Sequence, residues 1–121
     1  MVDFKLGEQE ARFADLIWET APINSTELVR LAEDVMQWKK STTYTMLRRL
    51  VERGIFAHEN AIVSVRMRRE EFYGRQSRKY VEDAFGGSLP GFLAAFMGGK
   101  GLSAKQAREL LELIQAHTEE G

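Results

Sequence analysis

The stretch from Ser41 to Gly54, STTYTMLRRLVERG, holds the residues whose types and spacing can do chemistry. At helical spacing Thr43, Leu47, Leu50 and Val51 make a stripe to bury. Thr42, Thr45 and Arg49 fall on the opposite side, flanked by Arg48. Small hydroxyls let a helix backbone come close to a double helix, and guanidinium groups reach phosphates or guanine edges. Ser41 is placed to cap this helix, and a helix start also holds a phosphate. Lys39 and Lys40 precede it as phosphate partners, and Tyr44 reads as a packing residue or a phosphate hydrogen-bond donor. Arg66 and Arg68 are candidates for backbone or minor-groove contacts, or else cations that blunt a strand edge. The exposed positions of the helix carry neither acidic nor bulky apolar residues in this reading.

Charge supports a polyanion partner. The formal net charge is −1, but residues 1–38, 39–79 and 80–121 carry −5, +7 and −3. Local field steers binding more than the total does, so a basic middle between acidic ends is not neutral to nucleic acid. An unevenly charged solvated surface accounts for the same numbers.

Other chemistry has little to stand on. The chain has no cysteine, which removes disulfides, thiolate metal sites and cysteine nucleophiles together. His58 and His117 lie far apart with no carboxylate at a ligand spacing, so no metal is expected. No nucleophile–base set and no phosphate loop are evident, and Glu8, Glu10, Glu70 and Glu71 read as helix-start charges. Neither an enzyme nor a cofactor is expected. No apolar run approaches a membrane span and no signal peptide opens the chain, so a cytoplasmic protein is expected.

The elements that must position the helix follow from periodicity. A first helix is predicted over about Glu8 to Glu19, burying Phe13, Leu16 and Ile17 and ended by Ala21-Pro22. Asn24 and Glu27 offer a capping box for a second helix to Met36, burying Leu28, Leu31, Ala32 and Val35. Gly54 ends the third helix in a left-handed conformation. Ile55–Ala57 and Ile62–Met67 are β-prone around a turn at 58–61, which makes a hairpin. Three helices and a hairpin are the order of a winged helix-turn-helix, with the third helix as reader and the hairpin as wing.

From about Arg69 a long helix runs to Gly86-Gly87. Ser88 caps a short apolar helix with Pro90 in its first turn, and Ser103 and Gln106 open the last. The fold class is therefore mainly α with a small β-hairpin. A winged helix-turn-helix domain at 1–70 precedes a helical dimerisation region at 71–121. Tyr80, Phe85, Leu89, Phe92, Leu93, Phe96, Leu110, Leu111 and Ile114 are too many apolar side chains for so short a region to bury alone, so a homodimer is expected.

Leu6–Trp18 (LGEQEARFADLIW), TTYTMLRRLVERG and the tail from FLAAFMGGKG to LLELI resemble the penicillinase-repressor family over nearly the whole chain. The resemblance implies a winged-helix dimer, joined by its C-terminal helices, that represses genes from a double-stranded DNA operator. It also implies, for the antibiotic-responsive members, release by a membrane-linked metalloprotease system that cuts between asparagine and phenylalanine. The matching bond here is Ala95–Phe96, so the asparagine is missing. Ala11 replaces a usual tryptophan, and the absent cysteines rule out the thiolate copper sensing of other members. A protein-interaction module without DNA binding and a ligand-responsive DNA-binding regulator, its ligand held at Phe92 and Phe96, are the alternatives.

Overall fold

A computed structural model describes residues 5–119, so the outer ends of the two expected domains, 1–4 and 120–121, lie outside the described residues. The described residues form six helices and a small three-stranded antiparallel sheet, a winged-helix arrangement with further helices at the C-terminal end. The elements are α1 (Glu8–Thr20), β1 (Ile23–Asn24), α2 (Ser25–Met36), α3 (Lys40–Glu52), β2 (Phe56–Glu59), β3 (Ile62–Val65), α4 (Arg69–Phe85), α5 (Leu89–Met97) and α6 (Ala104–Ala116). The chain separates into two compact units, Met1–Lys79 and Tyr80–Gly121.

In the N-terminal unit, Phe13 and Ile17 of α1, Leu28 and Ala32 of α2, and Leu47 and Leu50 of α3 close on Phe56 and Val63 of the sheet. Trp18 ties this core to its surroundings. Its ring packs against Phe56 at 5.4 Å and Phe72 at 5.9 Å, while its indole N–H donates to the Met67 carbonyl at 3.0 Å. A buried indole needs such an acceptor, so this bond fixes α1 to the chain leaving the sheet.

Several local expectations are corrected. Val35 is 46% exposed, because the buried stripe steps through Leu28, Ala32 and Met36 and leaves it to one side. Asn24 caps α2 by accepting from the Thr26 N–H at 2.8 Å, but exposed Glu27 closes no box. Asn24 also belongs to β1, a strand too short to show in the sequence, which lies opposite Ile62 of β3. Asn24→Ala is expected to cost about 1 kcal/mol by leaving one helix-start N–H without its acceptor. Thermal melts of the two proteins check this, and an unchanged midpoint would dismiss the cap.

The hairpin turn is tighter than expected. β2 and β3 pair Phe56 with Val65 and Glu59 with Ile62, leaving only Asn60 and Ala61 at the tip. Their φ angles of 52° and 64° are those of a two-residue hairpin turn whose twist matches the strands. Arg66 therefore lies beyond β3, not on it.

Candidate nucleic-acid interface

α2 stops at Gln37, whose φ of 55° turns the chain, and Trp38 packs on Phe13 at 5.0 Å. Three residues, Gln37 to Lys39, thus separate the end of α2 from the start of α3. The N-cap falls two positions earlier than the sequence suggests: it is Lys39 rather than Ser41, with no side-chain cap hydrogen bond. Ser41 lies in the first turn rather than capping it. Thr43 is buried and donates its hydroxyl to the Lys39 carbonyl at 3.2 Å. With Thr43, Leu47 and Leu50 held in the core, α3 leaves Ser41, Thr42, Thr45, Arg48 and Arg49 exposed. Gly54, at φ 80°, then turns the chain into the sheet, where an L side chain would be strained.

Which cations remain free is decided by long-range pairing. Arg53 donates to the Lys5 carbonyl at 2.9 Å and lies 3.5 Å from Glu10, joining the end of α3 to the start of α1. Arg69 binds Asp15 at 2.9 Å and sits over the Tyr73 ring at 4.9 Å. The Asp15 hydrogen bond and charge raise the Arg69 guanidinium above its ordinary value. Arg75 pairs with Glu71 along α4. Among the described residues, Lys39, Lys40, Arg48, Arg49, Arg66 and Arg68 take no carboxylate. Arg49 only approaches the Met46 sulfur, at 3.7 Å.

These six are not all together. Lys39, Lys40, Arg48 and Arg49 lie on or at the start of α3. Arg66 and Arg68 stand at the open end of the hairpin, where the Arg66 and Met67 N–H groups both donate to the Ile55 carbonyl at 3.0 Å. Arg68 there lines a groove with Asp15, Trp18 and Glu19. Tyr44 is half-buried, with its ring stacked on His58 and its hydroxyl 3.4 Å from that of Ser25. One charge counts against the surface: Glu52 is exposed near the C-terminal end of α3, contrary to the expectation of no acidic exposed position. Roughly 100° per residue puts it in line with Thr45 and Arg48, a signal available from spacing alone.

The C-terminal unit differs in kind, since none of its described residues is buried. Tyr80, Phe85, Phe92 and Phe96 form a chain of ring contacts at 5.6–6.3 Å. Phe96 nonetheless remains 64% exposed, and Leu89, Leu111 and Ile114 are exposed as well. Phe92, Leu93, Phe96 and Leu110 line a groove of about 490 Å³ between α5 and α6, joined by Met97, Leu102 and Leu113. Ala95 and Phe96 both lie exposed inside α5.

The profile of the penicillinase repressors matches residues 6–116, from the approach to α1 to the end of α6. The chain belongs to the penicillinase repressor family. It is also 20% identical to the penicillinase repressor of Bacillus licheniformis over 117 residues, covering 93% of this chain and 91% of that one. The family is one of DNA-binding transcriptional repressors, a regulatory rather than a catalytic class. Among the described residues no helix is long and apolar enough to cross a membrane.

Proposed function

We propose that this penicillinase-repressor relative acts in the cytoplasm as a homodimer on a palindromic operator. α3 enters the major groove and reads base edges through Thr42, Thr45 and Arg49. Lys39, Lys40, Ser41 and Arg48 grip phosphates around it, and Tyr44 holds the helix in place. Arg66 and Arg68 reach the flanking backbone from the open end of the wing. The observation that carries the reading is the exposed face of α3, where threonines lie beside arginines that no carboxylate neutralises. Two copies joined through the C-terminal helices match the two-fold symmetry of a palindrome.

Fluorescence anisotropy on a duplex selected from genomic DNA, with a scrambled duplex beside it, tests the reading. Arg49→Ala is expected to weaken binding to the selected duplex by about 1–3 kcal/mol and to relax its preference over the scrambled one. Wild-type affinity is expected to fall steeply with salt, as counterions released by several phosphates require. Unchanged affinity and preference would remove Arg49 from the reading set. Salt-insensitive binding would favour a protein-interaction module instead.

Release from DNA follows one of two routes. Cleavage at Ala95–Phe96 by a membrane-linked metalloprotease system has an exposed bond to act on, although alanine stands at the asparagine position. The apolar groove between α5 and α6 favours a second reading, in which a small apolar ligand binds there and acts as the signal. A ligand-dependent melting shift of the uncleaved protein separates the two.

A further inference from the structure

His58 plays no part in the core, and its stack on Tyr44 fixes where it stands. It shares one pleat face of β2 with Phe56, two residues away, and stands opposite Val63 of β3. Phe56 and Val63 are fully buried, whereas His58 lies past the core edge and is exposed. There its imidazole stacks on the Tyr44 ring of α3, with centroids 6.2 Å apart and planes 26° from parallel. The Tyr44 hydroxyl meets that of Ser25 at 3.4 Å, so the tyrosine ring is held from the α2 side as well. His58 is therefore an exposed titratable group braced against the DNA-facing helix.

Its surroundings favour an anion. From α3, Tyr44 is the group in contact, and Lys40 and Arg48 stand one turn to either side of it. From β3 the facing residue is Val63, which carries no charge. On β2 the neighbouring acid, Glu59, points to the other face of the sheet. From α2 the Ser25 hydroxyl, which carries no charge, reaches this pair through Tyr44.

We propose that His58 is a proton-controlled phosphate contact: protonated, it joins Lys40 and Arg48 in gripping the DNA backbone, and neutral, it lets go. The inference rests on the DNA-binding reading given above. The bound proton is the switch, so operator affinity becomes a function of acidity. Tyr44 is a positioning residue in this scheme, holding the ring at the helix edge.

The test is anisotropy of the full chain on a labelled mixed-sequence duplex at about pH 8 and about pH 5.5, each over a salt series. Wild type is expected to bind more tightly at the lower pH, with a salt slope steeper by about 1–2, one phosphate for each protomer of a dimer. His58→Gln should lose that pH-dependent gain while matching wild type within about twofold at the higher pH. His58→Arg should bind tightly at both. A merely structural histidine would not produce the tight His58→Arg state or change the salt slope.

A gain that survives in His58→Gln overturns the proposal, since the proton then acts elsewhere, at His117 or on carboxylates. Binding by wild type with no pH dependence overturns it and leaves the DNA reading intact. His58→Arg no tighter than wild type at the higher pH also overturns it. If wild type fails to bind DNA at any pH or salt, the DNA-binding reading itself falls and the proposal with it.

Discussion

Phe56→Ala is expected to destabilise the N-terminal unit by about 3–5 kcal/mol, the usual cost of emptying a fully buried aromatic site. Phe56 has no exposed surface and lies where the sheet, α1 and the chain beyond β3 meet. Its ring packs on Trp18, which also contacts Phe72 and Tyr73. The cavity therefore removes support from α1 and α4 as well as the sheet. Small domains have only about 5–15 kcal/mol in total, so the variant is left near the edge of folding. Urea unfolding reads this cleanly. The two tryptophans of the chain, Trp18 and Trp38, both belong to the N-terminal unit, so their fluorescence follows that unit. The midpoint should fall without a change in slope. A loss below about 1 kcal/mol, the scale of an ordinary surface change, would show that the core is organised around other residues. Operator affinity should drop with the folded fraction, since Leu47 and Leu50 hold α3 in the same core.

What the sequence made legible is the part set by local rules. Helical periodicity located the six helices, because each has its own buried or apolar stripe and a local stop such as Gly54 or Gly86-Gly87. β1 escaped because two residues have no period, and Asn24 had already been read as a cap. The hairpin tip was drawn too wide because its second residue is Ala61; at φ 64° a glycine is the usual signal, and alanine gives none. Val35 looked core-facing on an ideal wheel, but the end of α2 follows Met36 instead. Ser41 resembles a cap, whereas the turn through Trp38 sets the N-cap at Lys39, two residues earlier.

The candidate site divides in the same way. The composition of the α3 face could be read from spacing. Which arginines are available could not, because Arg53–Glu10 and Arg69–Asp15 join residues more than forty positions apart. The middle segment's +7 therefore overstates its free positive charge. The Tyr44–His58 stack was hidden for a related reason: it needs both the strand face and the helix face to be known together.

Replacing Leu111 and Ile114 together by aspartate is expected to split the proposed dimer and to weaken operator binding by roughly 10²–10⁴-fold, the loss on passing from two linked half-site contacts to one. α6 carries two apolar stripes. Leu110 and Leu113 line the groove shared with α5, whereas Leu111 and Ile114, 59% and 48% exposed, do not. At roughly 100° per residue they fall about a third of a turn away, beside Ala107. Each exposed large apolar side chain forgoes about 1.5–3 kcal/mol that burial would return, and two such stripes on one helix are more than groove packing uses. Because these side chains contribute nothing to the core of the N-terminal unit, the tryptophan-monitored unfolding of the variant should match wild type. Sedimentation should show a monomer at concentrations where wild type is dimeric, and the salt slope of DNA binding should fall to about half, since one protomer carries half the phosphate contacts. A variant that still sediments as a dimer would assign the interface to another face, with the exposed α5 residues Leu89 and Phe96 as the next to replace. A monomer that keeps full operator affinity would break the link between two-fold assembly and recognition, leaving a single α3 to supply all of it.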